Sequence, residues 1–277
     1  MTPKIGEIDG LPALVVLEGG WRDEYVDMIE THGLAVLSIM VRGDDLSFLG
    51  RVPSLRGLVL NAGEVRDLSP VQSLAALETL TLNTPAKPRM ELDFGAFPLL
   101  ERLRMYWNPG FESVFSCGRL ETLWVFSPPD ADLARFGAMA GLKRLELSQG
   151  RKLVSTAGVG ALDFLGLYQQ TALADLRDVA ARQVLAIESC KKLGAIDEVA
   201  ALTSVRRLKV ANCGDIASLA PLAGLVELEE FFAWESTRVV DGDLSVLLSL
   251  PRLREIGMQD RSHYRPRVTE IEAALKG

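Results

Sequence analysis

Five of the eight tryptophan and tyrosine side chains of this protein lie between residues 106 and 234, and arginines accompany the first of them. The five aromatic residues are Tyr106, Trp107, Trp124, Tyr168 and Trp234, and the nearby arginines are Arg102, Arg104 and Arg144. Aromatic rings bury a large apolar area, and tyrosine, tryptophan and arginine dominate the hot spots of interfaces. These residue types therefore indicate non-covalent recognition.

Residues that could make or break covalent bonds do not form a known motif. The sequence contains no H-E-x-x-H, G-x-x-x-x-G-K-S/T or G-x-S-x-G segment. The segment 158–160 (GVG) lacks the third glycine of a dinucleotide-binding loop, so a turn explains it better. Paired acids such as Asp44 with Asp45 and Asp241 with Asp243 are expected to be solvated turn residues. We expect no enzymatic activity and no cofactor; an enzyme would need a site hidden in the terminal segments.

The few cysteines and histidines do not indicate a metal site. The two histidines, His32 and His263, lie at opposite ends of the chain, so a zinc site would lack ligands. The three cysteines, Cys117, Cys190 and Cys213, are an odd number, which fits a reducing cytosol better than a disulfide framework. We therefore expect a cytoplasmic protein without a bound metal.

Charge and hydropathy argue against further classes of partner, although the net charge leaves room for a local basic patch. The net charge is −7, whereas a phosphate-binding surface needs clustered lysine and arginine. No apolar run approaches the ~20 residues of a membrane span, and the polar first ten residues do not resemble a targeting segment. We expect no nucleic-acid partner, no membrane partner and a monomer.

Short strands that recur every 20 to 25 residues must position the aromatic side chains. The plainest pair of repeats is 55–61 (LRGLVLN) and 77–83 (LETLTLN), which begin 22 residues apart. Both show the L-x-x-L-x-L spacing of a leucine-rich repeat strand. Between them the segment 67–70 (DLSP) turns the chain back for the next strand.

In this phase the chain holds eleven strands. Their first positions are Leu34, Leu55, Leu77, Leu100, Leu120, Leu142, Leu162, Arg182, Val205, Leu228 and Leu253. Arg182 makes its unit degenerate, because the other units begin with an aliphatic residue. Counting the first residue as slot 1, slots 1, 4 and 6 point into the core, and slots 3, 5, 7 and 8 point out of the sheet.

The strand and the DLSP link resemble the short repeats of bacterial internalin-like leucine-rich repeat proteins. The resemblance implies an α/β fold: a curved right-handed solenoid with a parallel concave sheet of about eleven strands, short helical or extended convex links, and helical caps at both ends. We expect one continuous domain, with an N-terminal strand–helix cap (1–33), repeats (34–260) and a C-terminal helical cap (261–277). The resemblance also implies that Cys190 and Cys213, in slot 9, bond to the turn backbone of neighbouring coils.

The outward slots collect the candidate partner-binding residues, because their side chains do not help to form the core. These residues are Arg102, Arg104, Tyr106, Trp107, Trp124, Phe126, Arg144, Phe164, Tyr168, Glu230, Phe232 and Trp234. The first nine form an aromatic patch with arginines that would meet acidic groups, and the last three, with Glu235 and Glu255, would hold a basic segment.

The function these residues predict is a protein–protein interaction module that binds its partner on the concave face. An immunity or regulatory protein is one use of such a module. Glycan or small-ligand binding on the aromatic patch is the alternative, because aromatic rings flanked by arginine, glutamate and asparagine also suit sugars. Cross-strand stacking that only stabilises the sheet also remains open.

Overall fold

A computed structural model of the chain describes residues 3–84, 86 and 88–276 and divides into two units. The first unit extends to Val125 and includes Met139–Leu142. The second comprises Phe126–Ala138 and the chain from Lys143 onward. Residues 1, 2 and 277, which belong to the predicted caps, lie outside the described residues.

The first unit is a parallel sheet preceded by an antiparallel hairpin. Its elements are β1 (Lys4–Ile8), β2 (Leu11–Val16), α1 (Glu24–Thr31), β3 (Val36–Met40), β4 (Gly57–Asn61), β5 (Thr79–Asn83), β6 (Arg102–Tyr106) and β7 (Thr122–Phe126), whose last residue is assigned to the second unit. β1 pairs with β2 in antiparallel fashion, and the strands from β2 to β6 pair in parallel. The slot 4 residues Leu37, Leu58, Leu80 and Leu103 stand side by side and are buried.

The second unit repeats the arrangement, and two of its strands, β9 and β10, are longer than the others. Its elements are α2 (Ala134–Gly137), β8 (Arg144–Ser148), β9 (Leu162–Tyr168), β10 (Ala181–Glu188), β11 (Arg207–Ala211), β12 (Asp215–Ile216), β13 (Glu230–Ala233), β14 (Arg238–Val239), α3 (Val246–Ser249), β15 (Glu255–Met258) and α4 (Val268–Ala274). β8, β9, β10, β11, β13 and β15 pair in parallel, in that order, while β12 and β14 form a small separate sheet. Leu145, Leu165, Leu185, Leu208, Phe231 and Ile256 form the buried slot 4 row.

The predicted repeat architecture is confirmed. The eleven predicted strands correspond to β3 to β11, β13 and β15. The links contain the short helices that were expected, including six 3₁₀ helices: Ser47–Arg51, Ser69–Ser73, Phe94–Ala96, Glu112–Ser116, Asp197–Ala201 and Ala220–Gly224. The sequence also predicts a helix near the C-terminus, which is α4. The fold is an α/β leucine-rich repeat solenoid.

The N-terminal hairpin is an element that the spacing of apolar residues does not predict. Ile8 pairs with Leu11, so the loop has only the two residues Asp9 and Gly10. Both have positive φ, 53° and 79°, which is the backbone of a type I′ turn and the reason for the Asp-Gly preference of such hairpins. The predicted cap therefore has one more strand than expected.

The helix of the N-terminal cap also begins later than Trp21, where the apolar spacing starts. α1 begins at Glu24. The Trp21 indole instead stacks on Phe48, with ring centroids 4.6 Å apart, and meets Tyr25 edge-on. Trp21 thus packs the cap against the first repeat link from outside the helix.

The degenerate repeat is explained by a β-bulge, and the assignment of Arg182 to slot 1 is wrong. Ala181 pairs with Leu162, and the register shifts between Ala181 and Val184. The extra residue places Ala181 in the core and turns Arg182 outward, where it lies 3.8 Å from the Asp163 carboxylate. A bulge inserts one residue into one strand only, so the small Ala181 takes the aliphatic position.

Candidate functional site

On the outward face of the first unit, the guanidinium group of Arg104 stacks on the ring of Trp124. Val59, Thr81 and Arg104 occupy slot 5 of adjacent strands and lie side by side. The Arg104 guanidinium carbon lies 4.1 Å from the centroid of the Trp124 ring, within cation–π distance. Trp124 is half-buried and Arg104 is exposed, so the pair presents one cationic and one aromatic surface.

A cavity of about 450 Å³ lies on this face of the first unit. The tip of the N-terminal hairpin, Ile8 and Asp9, lines it together with Arg102, Arg104 and Trp124. Its remaining lining residues are Val59, Thr79, Leu80, Thr81, Asn83, Leu103 and Thr122. The cap therefore contributes to the candidate site as well as to the end of the core.

Arg102 is an exposed arginine without an ion pair among the described residues. Glu78, an acidic residue on which the charge of Arg102 acts, is held by Arg56, whose guanidinium donates two hydrogen bonds of 2.8 Å to its carboxylate. The hydrogen bond from Arg56 is the main cause of the lowered pKa of Glu78, and the charge of Arg102 adds only a smaller contribution. Arg102 thus retains most of its capacity to bind an anion.

Two of the predicted binding residues are buried, so their expected exposure is wrong. Trp107 is 7% exposed and packs its ring on Phe115, with centroids 5.8 Å apart. β6 ends at Tyr106, so strand alternation no longer applies to slot 8. Phe126, the last residue of β7, is 8% exposed. Tyr106 is half-buried, as expected of its outward slot.

Four side chains form a cluster on the outward face of the second unit. Three of them, Arg144, Phe164 and Tyr168, are predicted binding residues, and the fourth is Glu146. The Arg144 guanidinium carbon lies 3.5 Å from the centroid of the Phe164 ring, and its Nε donates a 2.8 Å hydrogen bond to Glu146. Tyr168 lies close enough to Glu146 for a hydrogen bond. Burial, the negative charge of Glu146 and this hydrogen bond raise the pKa of the Tyr168 hydroxyl, so the hydroxyl stays protonated and can donate.

Because Gly166 has no side chain, the rings of Tyr168 and Phe164 can lie over its backbone. A Cβ atom at this position would lie 2.7 Å from the Tyr168 ring and 2.9 Å from the Phe164 ring. Gly257 is arranged in the same way beneath Phe232 and Trp234, at 2.7 and 2.8 Å. Both glycines occupy slot 5, an outward slot, but the slot number alone does not indicate that they lie beneath aromatic rings.

The charges of the second face are mostly neutralised within the face. Lys209 donates to Glu188 over 2.6 Å. Glu230 accepts from Arg207 and lies 3.5 Å from Arg254. The hydrogen bond from Arg207 is the largest cause of the lowered pKa of the Glu230 carboxyl group.

Glu230 is therefore already paired and adds little attraction for the basic segment that the sequence analysis expects. The Trp234 indole, 42% exposed and stacked on Phe232 at 4.9 Å, is the main surface that this cluster presents.

The two slot 9 cysteines of the second unit belong to a ladder of side chains that donate hydrogen bonds to strand carbonyls. Cys190 Sγ lies 3.5 Å from the carbonyl oxygens of Leu167 and Glu188. Cys213 Sγ lies 3.7 Å from the Ile187 carbonyl oxygen and 3.1 Å from that of Ala211. Each thiol thus bonds to the preceding strand and to its own. The contact with a neighbouring coil that the resemblance implies is present, but the acceptors are strand carbonyls and not turn carbonyls.

Two further members of this ladder are not cysteine or asparagine, and the sequence analysis misses them. The amide of Gln170 donates to the Leu147 and Tyr168 carbonyls over 2.8 and 3.1 Å. The hydroxyl of Thr237 donates to the Val210 carbonyl over 2.8 Å. Gln170 stands in slot 9, so its slot number is the signal that could have identified it.

The cysteines are expected to resist labelling in the folded protein. Burial raises the pKa of Cys117 to about 11 and that of Cys190 to about 12, and the thiolate is the reactive form. With a disulfide reagent at pH 8, we expect the thiols of Cys190 and Cys213 to react at least ~100-fold more slowly than a free thiol, and all three to react in denaturant. A Cys117→Ser variant isolates the two ladder thiols, and rapid labelling of that folded variant would contradict the buried ladder.

The described residues do not provide the groups for metal chemistry or a membrane span. In that part of the chain, no cluster of three or more histidine, cysteine or acidic side chains could hold a metal ion. No helix formed by the same residues has the length and apolar character needed to cross a bilayer. The acidic pairs serve turns, as expected: Asp45 accepts from the Ser47 amide and Asp243 from the Ser245 amide.

Comparisons with known proteins agree with the fold. No protein-family model matches the chain, and a sequence comparison with curated proteins finds no match. Among solved structures, the chain is similar to an internalin, InlF, of Listeria monocytogenes, at 15% identity and a TM-score of 0.53, over 91% of this chain and 83% of that one. The class that the fold defines is thus the leucine-rich repeat proteins, with internalin-like repeats.

Two other solved structures match with lower TM-scores. The functional domain of InlJ from Listeria monocytogenes, which includes a cysteine ladder, is 14% identical, with a TM-score of 0.46 over 87% of this chain and 57% of that one. A leucine-rich repeat protein of Leptospira interrogans is 13% identical, with a TM-score of 0.46 over 86% of this chain and 75% of that one.

Proposed function

We propose that this protein is a non-catalytic protein-binding module whose partner docks on the outward strand faces of the repeats, the faces that the fold class makes concave. The observation that carries the proposal is the placement of Trp124 and Trp234. Each stands on an outward face, and each has a neighbour stacked on it, Arg104 and Phe232 respectively. Stacking fixes the rings before binding, so less side-chain freedom is lost when a partner covers them.

We further propose that the protein is bacterial and cytoplasmic and acts as a monomer, with an immunity or regulatory role; the cysteines bear only on the compartment. All three cysteines are free thiols, and disulfides are rare in reducing compartments. An acidic, reduced repeat protein with exposed recognition residues is suited to sequestering another protein.

A glycan or small ligand is the second candidate, and the cavity of the first unit favours it. Its volume of about 450 Å³ lies in the range of small-molecule sites. Trp124 offers a ring for a sugar face, and Thr81, Asn83 and Thr122 offer hydroxyl and amide groups. A glycan array distinguishes the two candidates, because a protein-binding module is expected to give no hit that depends on Trp124.

The proposed function is tested by comparing how much partner protein the wild-type protein and a double variant capture from a lysate. Trp124→Ala together with Trp234→Ala removes one outward-facing ring from each face without emptying the core. We expect the partner captured by the wild-type protein from a lysate of its source organism to fall at least ~10-fold, because tryptophan hot spots cost more than 1 kcal/mol each on truncation. Quantitative mass spectrometry of the captured proteins measures the change.

A matched control comes from the opposite side of the repeats. Val226→Ala with Leu248→Ala truncates two exposed apolar side chains of the links, 48% and 50% exposed. The control is expected to capture the partner as well as the wild type does. Equal capture by all three folded proteins, or an equal loss in both variants, would refute docking on the strand faces.

A further inference from the structure

The outward face of the first unit differs in charge from that of the second. On the second face, Arg144, Arg207 and Lys209 each have a glutamate partner. On the first face, the cavity is lined by Arg102 and Arg104, and Asp9 is its single acidic lining residue. A site with excess positive charge on a protein of net charge −7 therefore stands out from its surroundings.

The cavity lining also combines two other kinds of group. Ile8, Val59 and the Trp124 ring provide apolar walls. Thr79, Thr81 and Asn83 provide hydroxyl and amide groups between them. An extended segment with a carboxylate beside an apolar side chain would satisfy all of these groups, since arginine binds carboxylates in a planar, two-pronged geometry.

We propose that this cavity binds an acidic, extended segment of the protein partner, with a carboxylate on Arg102 and Arg104 and a neighbouring apolar side chain against Trp124 and Ile8. The inference rests on the proposed function and specifies the chemistry of one part of it. The N-terminal hairpin becomes part of the recognition surface, because Ile8 and Asp9 at its tip line the cavity.

Asp9 limits how strongly this site attracts acids. Its carboxylate is carried on the two-residue turn that lines the same cavity as both arginines, so it lowers the positive potential a ligand carboxylate meets. Asp9→Asn removes the charge and keeps the turn, because asparagine tolerates the positive φ of 53° found here. The site is thus a moderate acid binder whose affinity can be raised by one neutral substitution.

The experiment selects ligands from a phage-displayed library of random twelve-residue peptides on the full-length protein and measures the affinity of the enriched peptides by fluorescence anisotropy. We expect the peptides to carry adjacent acidic and apolar residues. We expect Arg102→Gln to weaken binding at least ~5-fold, as for an arginine hot spot, and Asp9→Asn to strengthen it ~3-fold or more. Lys209→Gln on the second face is the matched charge control and is expected to leave the affinity unchanged. Affinity should fall with added salt.

The outcomes separate this inference from the proposed function. If the enriched peptides are not acidic and do not bind the Trp124→Ala variant, the proposal that the cavity binds an acidic segment is refuted, whereas docking on the outward face is retained. Peptides that bind all variants equally would overturn both, because they would bind elsewhere. An empty selection, or acidic peptides insensitive to Arg102→Gln, would overturn the cavity as an acid site.

Discussion

Replacing Asn108 by alanine is expected to destabilise the protein by about 3 kcal/mol, because it leaves several buried backbone groups without partners. The Asn108 side chain is fully buried. Its oxygen accepts hydrogen bonds from the Met90 and Gly110 amides over 2.9 and 3.2 Å, and its nitrogen donates to the Pro88 carbonyl over 2.9 Å. Thermal unfolding is expected to shift down by roughly 6–12 °C, which circular dichroism measures.

Asn83 provides the matched control for this change. Its amide donates a 2.8 Å hydrogen bond to the side chain of Asn61 on a partly buried part of the surface. Water can replace that bond, so Asn83→Ala is expected to cost less than ~1 kcal/mol. A midpoint for Asn108→Ala within about 2 °C of the wild type would show that water fills the site and that the bonds are not needed.

Replacing Phe231 by alanine is expected to remove about 3–5 kcal/mol of stability. Phe231 is fully buried in slot 4 of β13, between Leu208 and Ile256 of the neighbouring strands. Truncation loses the buried ring and leaves a cavity that two adjacent strands line. Urea unfolding measures the loss, and hydrogen exchange is expected to show it first in the amides of β11, β13 and β15, because each repeat is stabilised by its neighbours.

The control for this variant restores the residue type found in most slot 4 positions. Phe231→Leu keeps an apolar side chain and is expected to cost no more than ~1.5 kcal/mol. If Phe231→Ala were as stable as Phe231→Leu, or if protection of the β13 amides did not change, the ring would not be a packing element of the second unit.

The repeats could be predicted because every one places the same three slots in the core. One L-x-x-L-x-L segment sets the phase, and an aliphatic residue in the right slot then identifies each later strand. The prediction fails where chain geometry departs from the period. The bulge at Ala181 moves Arg182 outward, and the hairpin at Asp9 and Gly10 is coded by turn residues and not by leucine spacing.

The candidate site could be predicted only in part, for a similar reason. Strand alternation correctly places Arg104, Trp124 and Phe164 outward, but it does not reach Trp107, which follows the last strand residue. No residue spacing indicates that Arg144 stacks on Phe164 or that Glu230 is already neutralised. The cavity depends on Ile8 and Asp9, which are far in sequence from Trp124, so it emerges only from the three-dimensional fold.

The open edge of β1 has a consequence for solubility. In the part of the chain that the structure describes, β1 has a hydrogen-bonded neighbour on one side only, and an unpaired edge can recruit strands from other molecules into fibres. The exposed Lys4 and Glu7 place charges along this edge, and the strand is only five residues long. Both features discourage strand addition. The same hairpin that walls the cavity thus also keeps the end of the sheet from aggregating.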